Sequence, residues 1–159
     1  MTTIIATRAQ MGADSFVTDG SRVGKVYHAP GMLLGGCGDT YYSIQLVRWV
    51  LDGMRGPPPP PDDDEARDST VLILRRDGLM MLNWRGVEIP QLDDFFAIGS
   101  GASFALGAMK QGAAVMQALE IAAWYDENTK GPFDIVDLRQ PRQGPRQPRR
   151  SGPASAVHP

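Results

Sequence analysis

Short apolar, β-branched segments of this chain arrive in groups, and each group is followed by a stretch with helical spacing. Thr3-Ile4-Ile5-Ala6-Thr7, residues 15–18, residues 25–28 and residues 32–36 read as strands, with an Asp19-Gly20 turn between the second and third. Asp39 then suits the cap of a helix in which Val47, Val50, Leu51 and Met54 recur at i, i+3, i+4 and i+7. Strands return at 70–74 and 79–84, around the hairpin signal Arg75-Arg76-Asp77-Gly78, and at 95–98, before Gly99-Ser100-Gly101. Two helices are predicted over 103–110 and 113–125, with Gly112 as the stop between them, and a last strand over 133–138. A parallel βαβ chain would alternate single strands with single helices. Grouped strands with segregated helices indicate α+β, and two sheets packed between helix layers would bury every apolar face.

The length of 159 residues suits one domain with one substantial core. No apolar run approaches the ~18 residues that a membrane span needs, and Met1-Thr2-Thr3-Ile4 lacks the basic start of a secretory signal, so the expected compartment is the cytoplasm. A lone cysteine, Cys37, excludes an intrachain disulfide and a multi-cysteine zinc site. The net charge of −2 conceals an asymmetry: residues 139–159 hold five arginines and no acid, which leaves 1–138 distinctly acidic. An acidic body speaks against nucleic acid as a partner, because phosphate neutralisation needs a basic face. Composition also predicts the domain layout. Residues 1–138 form the folded domain, 56–69 form a stiff surface loop of polyproline joined to an acid run, and 139–159 form a disordered basic tail of Pro, Gln and Arg.

Several chemistries fail on residue types. His28 and His158 lie far apart with no serine-carboxylate context, which leaves little for a Ser-His-Asp triad. Gly99-Ser100-Gly101 lacks the Gly-Lys-Ser/Thr ending of a phosphate loop. Cys37, without a histidine partner, reads as a small buried residue. The start of the chain remains. A small residue after Met1 permits methionine removal, which would leave Thr2 with a free α-amine beside its hydroxyl. Such an amine titrates near 8 and can take the hydroxyl proton, so nucleophile and base would share one residue. On the residues alone, Thr2 and Thr3 read first as the start of a β-strand and Asp14 and Lys25 as a surface ion pair, and the chemical reading stands second.

Local motifs from Thr2 to Leu138 follow the order found in proteasome β subunits. Thr2-Thr3-Ile4 resembles the mature N-terminus, and Met11-Gly12-Ala13-Asp14-Ser15-Phe16-Val17-Thr18 resembles the strand with an acidic residue and a substrate-binding threonine. Gly24-Lys25-Val26 resembles the lysine strand, Leu34-Gly35-Gly36-Cys37-Gly38-Asp39 the glycine turn before the first helix, Ala97-Ile98-Gly99-Ser100-Gly101 the serine turn, and Tyr125-Asp126-Glu127-Asn128-Thr129-Lys130-Gly131 the acidic segment after the helix pair. The chain thus resembles proteasome β subunits and HslV-like N-terminal threonine peptidases of the Ntn-hydrolase superfamily, in particular the short bacterial or phage proteasome-like type. The resemblance implies a four-layer αββα sandwich.

It also implies roles. Thr2 would be the nucleophile, Lys25 held by Asp14 would tune it, and Ser100 and Asp126, supported by Thr129, would hold the amine and pass its proton. Gly35 would supply the oxyanion N–H. Thr18 would pair with the substrate backbone, and Val17, Val23, Leu33 and Cys37 would wall the specificity pocket. The implied activity is a threonine-type endopeptidase that works through an acyl-enzyme inside a homo-oligomeric, self-compartmentalising ring. An amidase or acylase of the same superfamily and a catalytically silent ring or scaffold subunit are the alternatives. No cofactor and no catalytic metal are implied, and family analogy allows a structural cation near residues 126–129. Substrates would be proteins or peptides, without a nucleic-acid or membrane partner. The usual docking surface for an AAA+ ATPase unfoldase is altered here, because the polyproline-acid loop stands where the family has its second helix.

Overall fold

The computed structural model describes residues 2–17 and 19–139. Its strands are β1 (Thr3–Thr7), β2 (Gln10–Ala13), β3 (Val26–Ala29), β4 (Met32–Cys37), β5 (Thr70–Arg75), β6 (Gly78–Asn83), β7 (Glu88–Gln91), β8 (Phe95–Gly99) and β9 (Asp134–Asp137), and its helices are α1 (Thr40–Leu51), α2 (Ala102–Lys110) and α3 (Val115–Tyr125). The strands form two antiparallel sheets, ordered β8-β1-β2-β9 and β3-β4-β5-β6-β7.

Both faces of each central strand are buried, and this explains the continuous apolar runs. In β5, Leu72 and Leu74 point into the core between the sheets, while Val71 and Ile73 point to the layer beneath α1. In β1, Ile4 and Ala6 face the other sheet, and Ile5 packs under α2 and α3 with Ala105, Val115 and Leu119. Such strands lose the polar-apolar alternation of a half-exposed sheet because neither face meets water. The layers therefore run α1, second sheet, first sheet, α2 with α3: a four-layer αββα sandwich, as expected. None of the helices among the described residues is long and apolar enough to cross a membrane.

The differences from the sequence reading are local. Residues 15–17 are not a strand; the pairing lies earlier, in β2, and Phe16 makes only an isolated bridge to Arg22. Met11, Gly12 and Ala13 are all buried, so β2 shows no alternation to detect. The edge strand β7 contains Pro90, which weakens any strand signal and is tolerated at an edge. Leu51 is exposed; the buried stripe of α1 is Tyr42, Leu46, Val47 and Val50.

The stretch over 56–69 is attached more firmly than a solvated connector. The Tyr42 hydroxyl lies 2.8 Å from the Pro59 carbonyl and 3.0 Å from that of Trp84, within donating distance of both. Ahead of a 3₁₀ turn, Ala66–Asp68, the Asp63 carboxylate accepts from the Ala66 N–H at 2.8 Å, and Ala66 and Ser69 are buried. The expected tail, apart from Arg139, lies outside the described residues, as do Met1 and Thr18.

Candidate active site

Thr2 sits just before β1, at the end of the first sheet that faces the glycine-rich end of β4, and it is only 8% exposed. Its backbone is held from both sides. The Ser100 N–H donates to the Thr2 carbonyl at 3.0 Å, and the next peptide N–H, that of Thr3, donates to Asp14 Oδ1 at 2.8 Å.

Asp14 follows β2 directly and is fully buried. Its other oxygen, Oδ2, accepts from Lys25 Nζ at 2.9 Å and from the Phe16 N–H at 3.1 Å, and Lys25 Nζ also donates to the Phe16 carbonyl. A buried carboxylate needs this degree of satisfaction, since an unpaired charge in such a position is strongly unfavourable. The ion pair is internal, not superficial.

On the other side of Thr2, the turn after β8 meets the segment after α3. Ser100 Oγ donates to Asp126 Oδ2 at 2.7 Å, and the Thr129 hydroxyl donates to the same oxygen. With its only proton on Asp126, Thr129 can bond Thr3 solely as acceptor, so the Thr3 hydroxyl donates to Thr129 and itself accepts from the Gly101 N–H at 3.0 Å. Every proton in the chain Gly101, Thr3, Thr129, Asp126 is thereby oriented, and Ser100 keeps its oxygen lone pairs free to accept. Burial would raise the Asp126 carboxyl, but hydrogen bonds from Thr129, Ser100 and Asn128 outweigh burial and hold it below its ordinary value.

Two glycines make the approach possible. Gly99 has φ +98°, and a Cβ there would fall on the Thr2 carbonyl oxygen. A Cβ at Gly101 would lie 2.8 Å from Thr129 Oγ1 and 3.1 Å from Asp126 Oδ2.

Two recesses meet at Thr2, and Thr2, Cys37 and Gly38 line both. The first, with about 30 Å³ of free volume, is walled by Val17, Val23, Cys37, Ile44 and Val47, with Lys25 as its charged member. The second is wider, about 480 Å³, and is walled by Met81, Phe96, Ala97, Ile98 and Asp68. Burial pushes the Cys37 thiol up to about 11, against the opposing pull of a backbone hydrogen bond involving Thr70 and of nearby Lys25, so it stays a neutral wall group near neutrality.

The structure thus brings Thr2, Asp14, Lys25, Ser100, Asp126 and Thr129 into one site, with Val17, Val23 and Cys37 on its wall. Two expected residues are placed otherwise. Leu33 is not on the wall: it is fully buried in the core between the sheets, because β4 turns it toward Ile4 and Leu72 rather than toward the recess. Gly35 lines neither recess. It lies on the last rung of the β3–β4 ladder, opposite Val26, where an added Cβ would come within 2.8 Å of Ile4.

Sequence reasoning missed Tyr27 and the α1 residues Thr40, Ser43, Ile44 and Val47, all of which line the first recess. Both signals were available. Tyr27 is two residues from Lys25, which directly precedes β3, so an extended chain turns both the same way, and the α1 set has i, i+3, i+4, i+7 spacing.

No family model and no curated protein matches the sequence. Solved structures do match the fold. Eukaryotic HslV from Trypanosoma brucei superposes with a TM-score of 0.64 at 19% identity, over 85% of this chain and 98% of that one. A Gly-1 mutant of Anbu from Hyphomicrobium sp. strain MC1 gives 0.63 at 16%, over 86% and 81%. Thiobacillus denitrificans BPH in complex with epoxomicin gives 0.55 at 15%, over 87% and 99%. Identities this low speak to architecture alone, and on that ground the chain has the proteasome-like αββα fold of the Ntn-hydrolases.

Proposed function

We propose that this protein is an N-terminal threonine peptidase, active once Met1 is removed and the Thr2 amine is free. The observation that supports this reading best is that two buried hydrogen-bond systems grip the Thr2–Thr3 peptide from either side: Asp14, paired with Lys25, accepts from its N–H, and the Ser100 N–H donates to its carbonyl, with Asp126 and Thr129 behind Ser100. A threonine that merely began a strand would not need both.

In the proposed reaction, the Thr2 hydroxyl attacks a peptide carbonyl while its proton passes to the α-amine. The Lys25 ammonium, held by Asp14, favours the unprotonated amine and the developing alkoxide through its charge. The oxyanion meets a backbone N–H from residues 36–38, which line the first recess, a donor typically worth about 3 kcal/mol in the transition state. Collapse of the tetrahedral adduct expels the leaving amine, which takes the proton from the Thr2 ammonium, and leaves an ester on Thr2 Oγ. Water, deprotonated by the same α-amine, then hydrolyses the ester and regenerates the hydroxyl. Ser100, with lone pairs free, accepts from the amine and keeps it aimed. Every group required is on this chain, and the reading calls on no cofactor. Assembly into a ring of identical subunits and action on unfolded protein or peptide belong to the same proposal.

The apolar wall of the first recess supports a preference for an apolar residue before the scissile bond. An acid or base entering there would lose hydration without a matching countercharge, since Lys25 is already paired with Asp14. The test is intact mass before and after incubation with a peptide epoxyketone, an inhibitor class that needs both a free amine and a hydroxyl on one residue. A mass beginning at Thr2 and a single adduct lost in Thr2→Ala are expected. Active protein that retains Met1 would refute the nucleophile assignment.

A further inference from the structure

We propose that the second recess receives the substrate residue that follows the scissile bond, and that Asp68 selects a basic side chain there. This rests on the peptidase reading above and adds a specificity element to it. A peptide with its reacting carbonyl at Thr2 and the preceding residue in the first recess must leave Thr2 on the opposite side, where the second recess lies. That recess is the roomier of the two, about 480 Å³ against about 30 Å³, so it takes a long side chain without rearrangement.

Its lining has an uneven chemistry. Met81, Phe96 and Ile98 make an apolar wall, and Asp68 is the one carboxylate among the residues that line it. A lysine or arginine side chain fits both demands: its methylene stem lies along the apolar wall and its head reaches the carboxylate. A glutamate would face like charge, and an alanine would leave the wall uncovered.

Asp68 is held in place by the segment whose role was otherwise unassigned, the end of the polyproline-acid loop. It closes the 3₁₀ turn Ala66–Asp68 between two buried neighbours, Ala66 and Ser69. Ser69 Oγ accepts from the Asp39 N–H at 3.0 Å, and Gly38, where a Cβ would lie 2.6 Å from Ser69 Oγ, lets the turn settle against the recess. The adjacent cation does not neutralise Asp68, because Arg67 pairs with Asp64 at 2.7 Å and lies over the Trp84 ring. The acid run thus ends with one carboxylate-bearing residue on the wall of the second recess and its neighbouring arginine engaged elsewhere.

The experiment uses internally quenched peptides that share an apolar residue before the bond and carry Lys, Ala or Glu after it, with the cleavage position read by mass spectrometry. Because Asp68 is exposed, its pairing with a cation is worth roughly a two- to fivefold effect on kcat/KM for Lys over Ala at low salt, shrinking as salt rises. Asp68→Asn is expected to level the Lys/Glu ratio, and Asp68→Lys to invert it. The ratio is taken within each variant, and loss of folding cannot produce inversion. Cleavage with the same Lys/Glu ratio in all three proteins would overturn this proposal while leaving the peptidase reading intact. Absence of both cleavage and epoxyketone adduct in the wild type would overturn both.

Discussion

Asp126 concentrates the candidate site's chemistry into one side chain. Its carboxyl is held below the ordinary carboxylate value, so the ionised form is bound more strongly in the folded state than in the unfolded one. The sign follows: the stabilisation is fully present above the unfolded value near ~4 and is lost as pH falls through the folded value. Asp126→Asn is expected to cost about 1–3 kcal/mol at pH 7, since three neighbours lose a charged acceptor. In urea titrations the gap between variant and wild type should narrow toward pH 3, and a gap independent of pH would show that the charge contributes nothing. Gly99→Ala is a backbone counterpart. With φ +98° and a Cβ landing on the Thr2 carbonyl, it should lose at least about 2–3 kcal/mol and break the Ser100–Thr2 hydrogen bond. A urea midpoint within error of wild type would contradict the close approach described here.

Among the elements, α1 serves two purposes with two stripes. Tyr42, Leu46, Val47 and Val50 pack on the second sheet, while Thr40, Ser43, Ile44 and Val47 line the first recess, so Val47 belongs to both. The start of the helix is fixed by Asp39, whose side chain accepts from the Tyr42 N–H at 2.8 Å. Asp39→Ala is expected to cost about 1 kcal/mol and to raise hydrogen exchange in the first turn, beside the recess. Unchanged exchange there would mean that the sheet, not the cap, holds the turn. The hairpin of β5 and β6 was signalled by its turn, and it closes with Arg75 opposite Gly78. Strand β2 was masked because β1 and β9 flank it and its residues are buried on both faces.

For the whole molecule, the core between the sheets is what brings the two halves of the site together. Thr2, Ser100 and Asp14 sit at the ends of β1, β8 and β2 in the first sheet, and Lys25 and Cys37 sit at the ends of β3 and β4 in the second. Leu72 is fully buried between them, opposite Gly35 in the ladder. Leu72→Ala should cost about 2–5 kcal/mol by thermal or urea unfolding, with the spread set by how far the sheets close over the cavity. A loss below about 1 kcal/mol would show that the interface is looser than its burial implies.

The sequence by itself determined the fold class, because the grouping of strands and helices and the two-faced apolar runs of β1 and β5 leave few ways to bury every face. It also determined which residues could do chemistry, since a lone cysteine, two distant histidines and a threonine after Met1 leave few options. It could not decide where neighbours of those residues point. Leu33 and Val23 look alike as apolar residues near a glycine turn, yet one is fully buried between the sheets and the other is 40% exposed at the recess. Asp68 reads as one more acid in a charged run until a buried serine and Gly38 fix the turn that bears it. Residue type follows from local chemistry, which the chain spells out. Direction depends on strand register and on contacts between residues such as Asp14 and Thr3 or Ser100 and Asp126, 11 and 26 positions apart, and these exist only once β1 has paired with β2 and α3 has packed on the first sheet.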